Sequence, residues 1–64
     1  MKPKVNTKLK ARILDVFGSQ NRFAADLDVD KSMVSRVVHR HRNLPLEKKI
    51  IWASRLKVRP EIFD

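Results

Sequence analysis

Apolar residues recur at helical spacing in four stretches of the chain, separated by short polar breaks. In the first, Leu9, Ile13, Val16 and Phe17 share one face of a helix that Thr7 is placed to cap and that runs to Phe17. Gly18, the only glycine, follows where a chain leaving a helix needs a positive φ. Ser19 then caps a second helix, Gln20 to Leu27, barely two turns long, with Phe23, Ala24 and Leu27 as its buried face. In "DVD", Asp28 tolerates the left-handed conformation and Asp30 is a good N-cap for a third helix starting at Lys31. Val34, Val37 and Val38 form the apolar edge of that helix, with Met33 packing beside them. Lys31, Ser32, Ser35, Arg36 and His39 lie on or near its other side, so something polar is expected against that face.

The third helix is expected to stop by about Arg40, because "HRHRNLP" has no apolar period and Pro45 disfavours helical geometry at Leu44. Pro45 suits the first position of a fourth helix reaching Leu56, with Glu47 in its first turn. Leu46, Ile50, Ala53 and Leu56 share its expected buried face, with Trp52 at the margin. Lys49 interrupts that stripe and Ile51 falls nearly opposite. Pro60 opens one further helical turn, leaving Ile62 and Phe63 to cover the core or to meet another subunit.

These elements predict an all-α fold, a small bundle of four or five short helices, as a single unit over residues 1–64. Residues 1–6 are expected to form a basic, flexible lead that Pro3 keeps out of a helix. A chain of 64 residues buries only about 60% of the surface its unfolded form exposes. With no cysteine, helix packing or self-association must stabilise it, because neither a disulfide nor thiolate zinc can. That composition fits a reducing cytoplasm. No apolar run approaches the length of roughly 20 residues that spans a bilayer, and "MKPKVNTKLK" lacks the apolar core of a secretory signal. A soluble intracellular protein with no membrane partner is expected.

Charge narrows the partner. Fifteen Lys and Arg against seven Asp and Glu give a net charge of +8, which points to an acidic polymer or surface. Nucleic acid is favoured, because a membrane-surface helix needs its bases and its large apolar residues on opposite faces of one long helix. The sixteen residues from Lys31 to Leu46 contain no carboxylate. Two short helices joined by a tight turn, the second with an apolar back and a polar front, make a helix-turn-helix pattern. Lys31, Ser32, Ser35 and Arg36 cluster in the half of the third helix that would enter a major groove about 12 Å wide.

The stretch "SQNRFAADLDVDKSMVSRVVHRHRNLP", Ser19 to Pro45, resembles the helix-turn-helix core of the phage Cro and repressor class, also called the Xre class. "IIWASRL" is similar to the family's fourth helix, so the resemblance covers most of residues 9 to 58. It implies a lambda-repressor-like fold in which Phe23, Ala24, Leu27, Val34 and Val37 are core. It further implies that Lys31, Ser32 and Arg36 read bases, with Ser35 beside them. Gln20 and Asn21 would contact phosphates, as would Arg40, His41, Arg42 and Asn43 in the loop after the reading helix. Asp28 departs from the family, which usually has glycine there. The implied function is transcriptional repression of Cro type, from a phage or prophage, in the cytoplasm of a bacterial host. Its partner would be a pseudo-palindromic double-stranded operator, covered sterically by a homodimer that forms weakly or only on DNA. With no second domain beyond Asp64, Ile51, Ile62 and Phe63 are the expected dimer contacts.

The side chains suit those roles. Arg36 has the planar fork that pairs with guanine O6 and N7, and Lys31 reaches the same acceptors as a point charge. Blander readings compete: a run of bases is often a solvated face, and Lys31 or Arg36 could pair with Asp28, Asp15 or Asp26. "DLDVD" alternates carboxylates as a calcium loop does, but the glycine is missing and Val37 stands where a bidentate glutamate belongs. His39 and His41 have no cysteine or nearby carboxylate to complete a metal shell. No phosphate cradle or nucleophile elbow appears, so neither an enzyme nor a cofactor or small-molecule substrate is expected. An excisionase or an antitoxin-like DNA-binding protein would share this size and charge. An interaction module using "IIWASRLKVRPEIF" is the alternative from another class. RNA binding is disfavoured by three Phe, one Trp and no Tyr for stacking.

Overall fold

The first three helices each begin where a side chain supplies an acceptor that the backbone lacks. The computed structural model describes residues 5–63, which form α1 (Thr7–Phe17), α2 (Gln20–Leu27), α3 (Lys31–Val38), α4 (Leu46–Leu56) and a 3₁₀ turn, Pro60–Phe63. The described residues are all-helical, as the periodicity predicts. Ser19 accepts from the Arg22 N–H at 3.1 Å and Asp30 accepts from the Ser32 N–H at 3.1 Å, so both expected caps are in place. Gly18 leaves α1 at φ 86°.

Residues other than glycine adopt the left-handed conformation after three helices: Asp28 (φ 57°) directly after α2, Lys57 (φ 58°) directly after α4, and Arg40 (φ 61°) after α3, with His39 between. Each follows the Schellman pattern, in which the next residue's N–H reaches back five positions. Val29 donates to the Ala24 carbonyl at 3.0 Å, His41 to Arg36 at 2.8 Å and Val58 to Ala53 at 3.0 Å. The left-handed Asp28 therefore occurs as its short side chain permits. Arg40 and Lys57 do the same without that help.

Several boundaries differ from expectation. Asn6, not Thr7, caps α1, its Oδ1 accepting from the Leu9 N–H at 3.1 Å. A carboxamide one residue earlier competes successfully with a threonine hydroxyl, and Thr7 becomes the first helical residue. Pro45 is the residue before α4 rather than its first, with extended ψ of 159° and no side-chain cap. The helix α3 ends at Val38, within the expected limit of about Arg40, and Arg40 adopts the left-handed turn.

One core joins the helices. Leu9 and Ile13 from α1, Phe23 from α2, Val34 and Val38 from α3, and Trp52 and Leu56 from α4 are all buried. Phe23 sits at its centre, its ring 5.0 Å from that of Phe17 and 5.6 Å from that of Trp52, the latter edge-on. Trp52 is core, as its place at the margin of the helix face allows. Leu44 is also buried, although it lies in the loop where no apolar period announces it.

The apolar face of α4 is rotated from the expected one. Lys49, Trp52, Ala53 and Leu56 face inward, whereas Leu46 is 69% exposed and Ile50 51%. Consecutive helical residues are about 100° apart, so once Trp52 and Ala53 share the centre of the stripe, Ile50 cannot. Val16 is likewise at the edge of the stripe from Leu9 through Ile13 to Phe17, and is exposed. Of the expected lead, residues 1–4 lie outside the described residues. Val5 packs against the core and Asn6 is buried, so these two belong to the fold.

Candidate nucleic-acid interface

The helix α3 is divided lengthwise by chemistry. Its valines 34, 37 and 38 are buried against α1 and α2, which rotates Lys31, Ser32 and Arg36 to the surface with Ser35 half-exposed beside them. The turn that sets this rotation is short. Asp28, Val29 and Asp30 connect α2 to α3, and Val29 tucks partly into the core between two exposed aspartates.

Asp30 holds the first turn of α3. Its carboxyl lies below its ordinary value, chiefly because it accepts from the Ser32 backbone N–H, then through the Ser32 hydroxyl and the positive charges of Lys31 and Arg36. Burial acts in the opposite direction but does not prevail. The carboxylate therefore stays ionised at neutral pH, fixing the end of the helix from which Lys31 and Ser32 project.

Two of the acids that could pair with Lys31 or Arg36 are engaged elsewhere. Asp26 pairs with Arg55 at 3.4 Å, tying α2 to α4, and Asp15 pairs with Arg12 at 3.4 Å within α1. Arg12 also donates from Nε to the Leu56 carbonyl at 2.9 Å, so it is a structural residue. Among the described residues no salt bridge reaches Lys31 or Arg36.

Beyond α3 the basic loop begins on the left-handed Arg40. His39 has its Nδ1 2.8 Å from the Ser35 carbonyl, and its ring is 6.3 Å from that of His41. His41, Arg42 and Asn43 are exposed, Arg40 half-buried. At the other helix, Gln20 and Asn21 open α2 immediately after its cap, the first half-buried and the second exposed.

The four α3 residues are therefore brought onto one surface, and the loop residues follow from its far end. Of the expected dimer contacts, only Ile51 is exposed, at 47%. Ile62 and Phe63 pack against the core of their own chain. The Ile62 carbonyl accepts from Asn6, and the Phe63 ring lies 6.2 Å from Trp52. Lys49 is a residue that the pattern of α4 marks only as an interruption. It lies beside Arg40, Arg42 and Asn43 around a shared cavity. Comparison with family models, with curated proteins and with solved structures returned no match.

Proposed function

We propose that this chain is a helix-turn-helix protein that binds double-stranded DNA sequence-specifically, α3 entering the major groove, and that it acts as a transcriptional repressor of Cro type. The observation that supports it most is the division of α3: three valines anchor one side while Lys31, Ser32, Ser35 and Arg36 occupy the other, and among the described residues no salt bridge reaches Lys31 or Arg36. In this reading Arg36 and Lys31 meet acceptors on guanine, and the two serines make short, adaptable contacts. Gln20 and Asn21 at the start of α2, with Arg40, His41, Arg42 and Asn43 after α3, hold phosphates on either side and set the register.

Repression needs no chemistry beyond occupancy of promoter DNA. Two copies on an approximately palindromic site would place their reading helices about 34 Å apart. Ile51 is the dimer contact this reading retains, since Ile62 and Phe63 serve the core of their own chain.

Selection from a random duplex library at about 150 mM salt tests the proposal. Enrichment of a palindromic site, bound about 10³-fold or more above competitor DNA, is the expected result. Failure to enrich any sequence, with affinity that only follows ionic strength, removes it. A second reading is favoured by one observation. Leu46, Ile50 and Ile51 expose apolar surface along α4, as a helix docking on a partner protein would.

A further inference from the structure

The loop after α3, the first turn of α4 and the last 3₁₀ turn enclose a half-open cavity of about 440 Å³, lined by Val37, Arg40, Arg42, Asn43, Leu44, Lys49 and Phe63. Three of these residues are cationic, one is a carboxamide, and among the described residues the lining carries no carboxylate. Val37 and Leu44 are buried and Phe63 half-buried, so they form an apolar wall behind the charged groups.

Two features of the backbone aim the charges here. Arg40 adopts the left-handed conformation at φ 61°, which is costly for a residue with a Cβ and swings the chain out of α3 toward the cavity. Lys49 occupies the inward stripe of α4, three residues before Trp52 and four before Ala53, where helical spacing calls for an apolar side chain. Both residues are half-buried, and each already makes an interaction within the chain.

From this arrangement we infer that the cavity is a phosphate-binding site, with Lys49 as a contact beyond the basic loop. Arg42 supplies a planar fork and Lys49 a point charge, a pairing suited to the several oxygens of one phosphate. The Asn43 amide adds a neutral donor. The apolar wall lowers the local dielectric and strengthens each charge–phosphate attraction relative to an open surface. The cavity exceeds the volume of a bare phosphate, so it also admits the carbon atoms of the attached ester. The phosphate could be a diester of duplex backbone or the monoester of a free small molecule. The inference rests on the cavity and does not require base reading by α3.

Lys49→Met, which keeps the length of the side chain, is compared with Lys49→Arg and with Lys8→Met as a charge-matched control on α1. Thermal melts first verify that each variant is folded. If the phosphate belongs to DNA, the slope of log K against log salt on a random duplex falls by about 0.9 more in Lys49→Met than in Lys8→Met, and Lys49→Arg restores it. If the phosphate is free, phenyl phosphate titrated at constant ionic strength shifts the amide resonances of Asn43, Leu44 and Phe63 saturably in the wild-type protein. Those shifts are then lost in Lys49→Met. Saturable phenyl phosphate binding without any DNA affinity would sustain this site while removing the proposed function. A Lys49→Met protein indistinguishable from Lys8→Met on DNA, together with no saturable shifts in the wild type, overturns the inference.

Discussion

Asn6 donates from its Nδ2 to the carbonyl of Ile62 across 2.7 Å, joining positions 56 residues apart in sequence. The same side chain caps α1, and its backbone N–H donates to the Val38 carbonyl at 2.7 Å. A single residue, 5% exposed, thus ties the start of α1 to the end of α3 and to the last 3₁₀ turn. Loss of a cap costs about 0.5 to 2 kcal/mol, and leaving the partly buried Ile62 carbonyl without its donor costs about 1 to 2 kcal/mol, the lower part of the range for a fully buried group. Asn6→Ala should therefore lower unfolding free energy by about 2 to 4 kcal/mol. Asn6→Ser keeps the capping oxygen but cannot reach Ile62, so about half the loss is expected. Urea unfolding followed by Trp52 fluorescence measures both. A loss below about 0.5 kcal/mol in Asn6→Ala would remove the assigned role, since an ordinary surface change does no more.

How much of this was legible in the sequence depends on the range over which each signal acts. Ser19, Gly18 and Asp30 act on backbone groups within a few residues of themselves, and their positions follow from local chemistry alone. Asn6 was obscured by Thr7, another capping residue next to it. The α4 face is ambiguous in the sequence because Leu46 and Ile50 offer as good an apolar stripe as the true one, and only packing of Trp52 on Phe23 selects between them. At the candidate site, the partition of α3 is readable because valines and polar residues alternate at helical spacing. The participation of Lys49 is not, since it depends on a loop folding back over α4.

Left-handed residues without glycine give a second prediction. Lys57 ends α4 at φ 58° and is exposed, so Lys57→Gly removes backbone strain without deleting a buried contact. The strain is about 1 to 2 kcal/mol and glycine's extra freedom in the unfolded chain offsets about 0.5 to 1 of it. Lys57→Gly should stabilise by about 0.5 to 1 kcal/mol. The converse holds at Gly18, where an added Cβ would find its nearest neighbour, the Arg22 guanidinium, only at 3.9 Å. Gly18→Ala should therefore destabilise by about 1 to 2 kcal/mol through its φ of 86° and not through a clash. Paired thermal melts decide the matter, and changes of the same sign in both variants would contradict it.

Under the proposed function, substitution of Arg36 separates base reading from general attraction. On the selected duplex, Arg36→Ala should cost about 1 to 3 kcal/mol and should relax the preference at one base pair. Because the residue is exposed and has no salt bridge among the described residues, the melting temperature should hardly change. Arg36→Lys should recover charge but not the two-pronged geometry, leaving preference at that base pair weakened. Fluorescence anisotropy on the selected site and its single-base variants gives both quantities. An equal loss on every sequence would reassign Arg36 to the phosphates.

Under the proposed function, folding and binding are opposed at Asp30. Its carboxylate caps α3 but puts a negative charge at the helix end that would enter the groove. Asparagine caps about as well as aspartate, so Asp30→Asn preserves the helix while removing the charge. Affinity for duplex DNA should rise about twofold to fivefold, the size of an exposed charge interaction at moderate salt. The pH dependence has a definite sign. The carboxyl is lowered in the folded protein, so its contribution to stability is complete above its unfolded value near 3.8 and is lost as pH falls through the lower, folded value. Melting temperatures of the wild type and Asp30→Asn should therefore differ by a constant amount from pH 7 to about 5 and converge only in stronger acid. Weaker DNA binding by a folded Asp30→Asn protein would give the residue another role. Aspartate accepts from the cytosine amino group, and such a loss, confined to one base pair of the selected site, would place Asp30 among the base readers beside Lys31.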